Sequence, residues 1–245
     1  MGLFSALIHN KINVTAFRHV CKARPEPEKV RVQTEETKQR KYFGGIMYAL
    51  AINGSPRKDG NTNYLLKEVL APVSRAGWET ELVQAGGREI RGCIACYKCF
   101  ENQNQRCAVE TDMFNEIMEK IVRADALIMG SPTYFTDVSA ELKAVVDRAG
   151  LVSQANGVLL RGKIGAAVAA VRRAGAVHVF DTINHMFLMS QMIVPGSTYW
   201  NMGMGFDKGD VADDAEGMKN MRHLGAVIAW LGSAVSNHPD AYPNP

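Results

Sequence analysis

Ile46-Met47-Tyr48-Ala49-Leu50-Ala51-Ile52, followed by Asn53-Gly54-Ser55-Pro56-Arg57-Lys58-Asp59-Gly60-Asn61-Thr62-Asn63, is the stretch on which the fold turns. A short, unbroken apolar run stopped by turn-forming residues reads as a strand covered on both faces, the environment of a central parallel strand. Beyond the loop, Leu65, Leu66, Val69, Leu70 and Val73 recur at helical spacing until Gly77. Strand, polar loop and helix together open a βαβ unit.

The same alternation continues outward. Residues 80–83 read as a short strand, and a cysteine-rich loop leads to a helix with Phe114, Ile117, Met118, Ile121 and Val122 on one face. Residues 126–130 are the next buried strand, followed by Ser131-Pro132-Thr133-Tyr134 and a helix near residues 139–148. Residues 164–171 form a fourth strand, 177–191 a helix, 192–194 a short fifth strand and 218–235 a final helix. Five strands alternating with helices predict an α/β domain with a parallel sheet covered on both faces.

Upstream, residues 1–44 show no sustained period, contain Pro25 and Pro27 and end in the charged run 35–41. They read as an N-terminal extension on one domain at residues 45–245. They also hold nine Lys/Arg against four Glu, although the whole chain is only +3. These charges alternate in sign without interleaved aromatics, which describes a solvated extension or a subunit-wrapping arm better than a nucleic-acid stripe. A composition of 47% hydrophobic and 22% charged residues is that of an ordinary globular protein. No segment approaches the run of about 20 apolar residues needed to span a membrane. Met1-Gly2-Leu3-Phe4-Ser5-Ala6 has Ala6 where a myristoylation signal wants Ser or Thr, and the apolar start is too short for a secretory signal. A cytoplasmic location is expected.

The loop at residues 54–63 joins a strand to a helix, where free backbone N–H groups and the helix dipole favour an anion. Ser, Thr and Asn side chains add donors and Arg57 adds charge. The loop lacks both the G-x-x-x-x-G-K-[ST] of a nucleoside triphosphate site and the G-x-G-x-x-G of a dinucleotide site. The plainer alternative is a polar turn in which Asn61 or Thr62 caps the helix.

Four of five cysteines fall at Cys93, Cys96, Cys99 and Cys107, a C-x2-C-x2-C-x7-C spacing. In a chain without a secretory signal this argues for metal or redox chemistry over a disulfide framework. Four thiolates suit an iron–sulfur cluster, and zinc is the competing metal, although three ligands each two residues apart suit a cube better than opposed knuckles. Cys21, alone in the extension, reads as an ordinary thiol.

The motif Gly54-Ser55-Pro56-Arg57 with Gly60-Asn61-Thr62, directly after a first strand, resembles the FMN phosphate loop of the NAD(P)H-dependent FMN reductase branch of the flavodoxin-like superfamily. Gly130-Ser131-Pro132-Thr133-Tyr134-Phe135 is similar to that family's second flavin loop. The likeness runs on through the helix from Ala140-Glu141-Leu142-Lys143 to Asp147-Arg148, and Gly209 to Met218 resembles the family's final loop and helix start. The resemblance implies a flavodoxin-like, doubly wound five-stranded parallel sheet of order 2-1-3-4-5, with flavin outside the carboxyl ends of the strands. It implies that Ser55, Arg57, Asn61, Thr62 and Asn63 hold the FMN phosphate. Pro132, Thr133, Tyr134, Phe135 and Thr136 would line the isoalloxazine, with Tyr134 offering an aromatic face or, equally, filling a half-buried core position. A third loop after the fourth strand carries Arg172, Arg173 and Gly175. There an arginine would balance charge on reduced flavin or meet a nicotinamide phosphate, unless the pair is simply solvated.

The cysteine spacing resembles that of the iron–sulfur flavoproteins within the same family, which implies a [4Fe–4S] cluster, on the flavin side because the loop follows the second strand. The activity so implied is an FMN-dependent oxidoreductase passing electrons between FMN and an external carrier such as ferredoxin, with NAD(P)H as a donor. The alternative is an NAD(P)H-dependent FMN or quinone reductase without a cluster. No side chain is required as a general base, so no catalytic residue is assigned. The family commonly forms dimers and tetramers, and neither a membrane nor nucleic acid is expected as a partner. Asp213 or Asp214 suits a helix N-cap. His178, His185 and His223 lie on expected helices without a partner at metal spacing and read as ordinary helix residues.

Overall fold

Every residue of the first strand, β1 (Tyr48–Asn53), is buried in the computed structural model, which describes residues 45–238 and 242–243. The extension at residues 1–44 and its Cys21 lie outside the described residues. After β1 come α1 (Asn61–Arg75), β2 (Glu79–Gln84), α2 (Lys98–Asn102), α3 (Phe114–Arg123), β3 (Ala126–Pro132) and α4 (Ala140–Ala155). They are followed by β4 (Ile164–Val171), α5 (Ala176–Met189), β5 (Met202–Met204), a 3-10 turn (Asp210–Asp213) and α6 (Ala215–Ser236). The five strands form one sheet in the order β2-β1-β3-β4-β5, all pairs parallel, which is the flavodoxin-like order expected.

The period-2 geometry of a strand divides the apolar runs between two cores. Leu50, Ile52, Leu127 and Met129 face α3, α4 and α5 through Ile117, Val145 and Ile183. Ala49, Ala51, Ile128 and Val168 face α1 and α6 through Leu65, Leu66, Met221 and Leu224. Each fully buried aliphatic side chain stabilises the fold by about 1.5–3 kcal/mol. On the second face α6 sits very close to α1: a Cβ at Gly225 would lie 2.1 Å from the Val69 carbonyl oxygen.

Edge strand β2 is protected by charge. The Tyr48 hydroxyl donates to Glu81 Oε2 at 2.6 Å, and Lys120 Nζ reaches Glu81 Oε1 at 2.5 Å. The Arg123 guanidinium lies 4.3 Å from the Tyr48 ring centroid. Burial, and then the adjacent Glu81, push the Tyr48 phenol well above its ordinary value, so it serves as a neutral donor. Charged pairs along an edge discourage strand addition by another chain.

The fifth strand is not where the sequence placed it. Residues 192–194 make only a single parallel bridge, Ile193 to Ile164, with Ile193 N donating to Lys163 O and Gly165 N to Ile193 O. Continuation of that ladder would require an N–H at residue 195, which is a proline. The chain leaves the sheet there and returns as β5, pairing Met202–Met204 with the end of β4. Helix α4 is also longer than expected, running through Gly150 to Ala155, because Val152 and Ala155 bury in the core. That burial outweighs the roughly 1 kcal/mol helix penalty of a glycine.

Candidate functional site

The carboxyl ends of β1, β3, β4 and β5 present four loops along one rim, and backbone contacts tie them together. Gly54 N donates to Gly130 O at 2.8 Å, Thr133 N to Ala170 O at 2.8 Å and Gly205 N to Val171 O at 2.9 Å. Ser139 Oγ, at the start of α4, donates to Gly54 O at 2.6 Å. Gly175 lies against the second loop, since a Cβ there would be 3.4 Å from Thr133 Cγ2. Residues 54–63, 132–136 and 172–175 are therefore brought to one edge.

In the first loop Ser55, Thr62 and Asn63 are buried, Asn61 is intermediate and Arg57 is exposed. Ser55 Oγ accepts from Arg57 N at 3.2 Å. The N-cap of α1 is Gly60, and no side chain caps this terminus, so the capping alternative for Asn61 and Thr62 does not apply. A 15-residue helix thus begins with an uncapped first turn, and Gly60 N at its N-cap donates to the carbonyl of the exposed Arg57 at 3.0 Å. Asn61 spans two loops instead: its Nδ2 donates to Asp207 O and its Oδ1 accepts from Gly209 N, both at 2.9 Å.

Three residues that shape this loop escaped the sequence reading. Asn53 Oδ1 accepts from Ser55 N at 3.0 Å, and Gln84 Nε2 donates at 2.6 Å to both Ser55 O and Gly86 O. Gly86 touches the loop backbone directly, because a Cβ there would fall 2.3 Å from Gly54 O. A polar residue ending a buried strand was the available signal for Asn53; nothing local marked Gln84, at the end of the half-buried edge strand, or Gly86.

The second loop is a tight reversal in which Tyr134 N donates to Asp137 O and Asp137 N to Tyr134 O. Phe135 (φ 43°) and Thr136 (φ 78°) occupy the left-handed region, which is sparsely populated for a β-branched residue and recurs at ligand-binding sites. Thr133 Oγ1 is buried without a partner. Tyr134 is 46% exposed and Phe135 fully exposed, so neither is a core residue. In the third loop Arg172 and Arg173 are both exposed, and Arg172 stacks 4.4 Å above the Phe206 ring. Asp214 caps α6, accepting from Gly217 N at 2.9 Å, and also holds Met204 N at 2.8 Å. Of the helix histidines, His178 Nε2 lies 3.6 Å from Asp137 Oδ2 and His223 Nδ1 lies 3.3 Å from Ser197 Oγ.

Cys93, Cys96, Cys99 and Cys107 are free thiols lining one recess with Arg148, Leu151 and Val152 of α4. Cys93 and Cys96 are exposed and Cys99 is buried. Ala95 and Tyr97 have positive φ, so the backbone coils around this recess. Burial raises the Cys99 thiol above its ordinary value, and Cys107 and Cys96 raise it further. Among the described residues no three His, Cys, Asp or Glu side chains yet stand close enough together to hold a metal ion. The chemistry of the donor set, four free thiols lining one recess, nonetheless fits a thiolate-bound metal group.

The recess is farther from the carboxyl rim than the position of its loop after the second strand suggested. The chain leaves the rim near Gly87, whose N–H meets Glu141 Oε1 at 3.1 Å, and descends along α4 until Gln105 N meets Asn156 Oδ1 at 2.9 Å. From Ser139 at the rim to Arg148 at the recess, α4 rises about 13 Å. The loop is drawn down by partners that lie there: Asn115 Oδ1 accepts from Cys107 N at 2.8 Å, and its Nδ2 donates to Cys107 O at 2.9 Å.

Asp112 and Arg148 form a buried ion pair beside the recess, at 2.5 Å. Burial alone would raise the Asp112 carboxyl, but the Arg148 hydrogen bond and the N–H groups of Arg91 and Phe114 outweigh it and hold the carboxyl below its usual range. Because the folded value lies below the unfolded one, the pair's stabilisation is complete above about pH 4 and is lost as pH falls through the folded value. Asp112→Asn is expected to cost about 3–5 kcal/mol at neutral pH by stranding Arg148. Urea midpoints measured against pH should show the gap to wild type closing in acid; a gap independent of pH would contradict this linkage.

Residues 47–207 match the family model described as NADPH-dependent FMN reductase. An iron–sulfur flavoprotein of Methanocaldococcus jannaschii is 37% identical over 190 residues, spanning 75% of this chain and 96% of that one. An iron–sulfur flavoprotein of Methanosarcina thermophila is 31% identical over 196 residues, spanning 79% of this chain and 100% of that one. Among solved structures, RosB with a bound 8-demethyl-8-formylriboflavin-5'-phosphate intermediate superposes with a TM-score of 0.64 at 20% identity, over 79% of this chain and 82% of that one, a likeness of fold. With its sheet order, its loop-bearing rim and this identity across almost the full length of both relatives, the chain belongs to the NADPH-dependent FMN reductase family of flavodoxin-like proteins, in the iron–sulfur flavoprotein subgroup.

Proposed function

We propose that the chain is an FMN-dependent electron-transfer oxidoreductase that binds FMN at the carboxyl rim and a [4Fe–4S] cluster at Cys93, Cys96, Cys99 and Cys107. The observation that carries the flavin reading is the uncapped N-terminus of α1, three residues after the exposed Arg57. The unpartnered Thr133 hydroxyl at the same rim and the left-handed turn at Phe135 and Thr136 support it. Bound FMN supplies electron exchange singly or in pairs, and a cluster supplies single-electron exchange; the protein positions these groups and tunes them.

In this reading the first turn of α1, Ser55, Thr62, Asn63 and Arg57 receive the phosphate, while Asn61 latches the Asp207–Gly209 backbone over it. Pro132, Thr133, Tyr134, Phe135 and Thr136 line the ring system. Arg172 and Arg173 supply positive charge beside it, and Gly175 keeps that approach narrow. The donor is NAD(P)H or a protein carrier such as ferredoxin. The four free thiols fit a reducing, cytoplasmic setting. Exposed Leu188, Met189, Tyr199 and Trp200 are apolar surface suited to a homo-oligomer, a dimer or tetramer. No described helix is long and apolar enough to cross a membrane.

Anaerobic isolation with flavin, iron and sulfide counts tests the reading. Arg57→Ala is expected to weaken FMN about 10- to 100-fold, the value of a charge-assisted phosphate contact, while leaving riboflavin affinity unchanged. Equal loss for both flavins would show that the loop does not hold the phosphate. The alternative, an FMN or quinone reductase without a cluster, is favoured by one feature: the four sulfurs do not converge to metal-ligating separation. Flavin bands alone in the anaerobic spectrum would decide for it.

A further inference from the structure

A buried arginine stands at the wall of the cysteine recess, with three of its five N–H donors bonded to Asp112 and to the two ends of the cysteine segment. Arg148 is 1% exposed. Its Nη1 pairs with Asp112 Oδ2 at 2.5 Å and donates to Arg91 O at 3.0 Å, and its Nη2 donates to Val109 O at 2.9 Å. The guanidinium lies 4.0 Å from the Phe114 ring centroid. Arg91 precedes Cys93 by two residues and Val109 follows Cys107 by two, so this one side chain fastens both ends of the cysteine segment. Asp112 reinforces the closure, accepting from Arg91 N at 2.8 Å and from Phe114 N at 3.1 Å.

The Nε–H donor is buried and has no partner. A buried donor left unmade costs about 1–3 kcal/mol, and folded proteins leave few of them. Here the orphan belongs to a residue that lines the same recess as the four thiols. Thiolate and sulfide sulfur are anionic acceptors, and an N–H directed at them stabilises the more reduced, more negative state of a cluster.

We infer that Arg148 is a positioning residue of the cysteine site, latching both ends of the segment through Nη1 and Nη2 and holding Nε–H for a sulfur of the bound group. This rests on the cluster reading above. With the Arg148 charge offset by Asp112, the Nε–H acts on the cluster as a local dipole and hydrogen bond, not as a free cation. Lysine keeps the charge but has neither the fork nor the Nε–H.

Arg148→Lys is therefore expected to keep its FMN while its cluster midpoint potential becomes more negative and its iron passes to a chelator about 10- to 100-fold more readily. Wild-type protein carrying isotopically labelled arginine nitrogen provides a test independent of whether that variant folds. The reduced cluster should show a magnetic coupling to an arginine nitrogen that persists in Arg91→Lys and Arg106→Lys. A cluster present in wild type with no such coupling, or an Arg148→Lys cluster of unaltered potential, would overturn the Nε–H assignment while leaving the cluster reading intact. Wild type isolated anaerobically without iron and sulfide would overturn both.

Discussion

Cys96→Ser, isolated without oxygen, is expected to retain FMN and lose most of its iron, its sulfide and the broad cluster absorption. Cys96 is exposed and free, so the substitution itself removes no packing, and exposed positions of this kind seldom change stability by more than about 0.5 kcal/mol. What it does change is ligand chemistry. A serine oxygen is harder and far less acidic than a thiol, and the soft-metal preference of the site depends on sulfur. The flavin should be spared, because about 13 Å of α4 separates the recess from the rim where Ser139 holds Gly54. Electron transfer to one-electron carriers should fall more than two-electron reduction of the flavin. Iron and sulfide unchanged from wild type would remove Cys96 from the ligand set, and about one zinc per chain without sulfide would reassign the site to a structural metal.

Gly86→Ala should damage FMN binding although Gly86 itself does not meet the flavin in the proposed arrangement. A Cβ there would lie 2.3 Å from Gly54 O and 2.3 Å from Ser55 C, both backbone atoms of the phosphate loop. Neither can yield by a rotamer change, so the loop or the β2 end must shift, at a cost of about 1–3 kcal/mol. The same shift pulls on Gln84, whose Nε2 holds Ser55 O and Gly86 O together. If that strain is relieved mainly in the loop, FMN weakens by about 10- to 100-fold. Gly196→Ala is the control, since a Cβ there meets nothing within 4 Å and its effect should be small. Equal flavin affinities in the two variants would show that the loop does not depend on close approach at Gly86.

Much of the molecule was legible because burial on both faces writes itself into sequence. The runs at residues 46–52, 126–130 and 164–171 admit little but buried parallel strands, and they became β1, β3 and β4. The helix after the first loop was equally clear from Leu65, Leu66, Val69, Leu70 and Val73, all of which are buried. Weak edge strands were less clear. Residues 192–194 looked like a strand but stopped at Pro195, whereas Met202–Met204 is too short to carry a period and was found only by its pairing with β4.

The chemistry-bearing loops followed the same division. Their residue types and their positions after successive strands were apparent along the chain, and parallel topology alone assembles strand ends at one rim. Asn61 looked like one more phosphate donor, yet its amide spans to Asp207 and Gly209, residues almost 150 positions away. In the sequence Arg148 reads only as the end of the helix that begins Ala140-Glu141-Leu142-Lys143, on which Lys143 and Asp147 form an exposed pair at 2.5 Å. The structure buries Arg148 almost completely, at 1% exposed.

By itself, the sequence determined most of the strand and helix periods, the parallel sheet, the anion-ready turn and the set of four thiols, because each depends on residue type and near-neighbour spacing. Only the tertiary structure decided that Gly86 must be small, that Asn61 joins two loops, and that the cysteines line a recess down the flank of α4 with Arg148 at its wall. Those features depend on which distant backbone groups share a low-dielectric interior. There an unpaired donor or a misplaced methyl costs as much as a helix turn contributes, and no local spacing records which groups will meet.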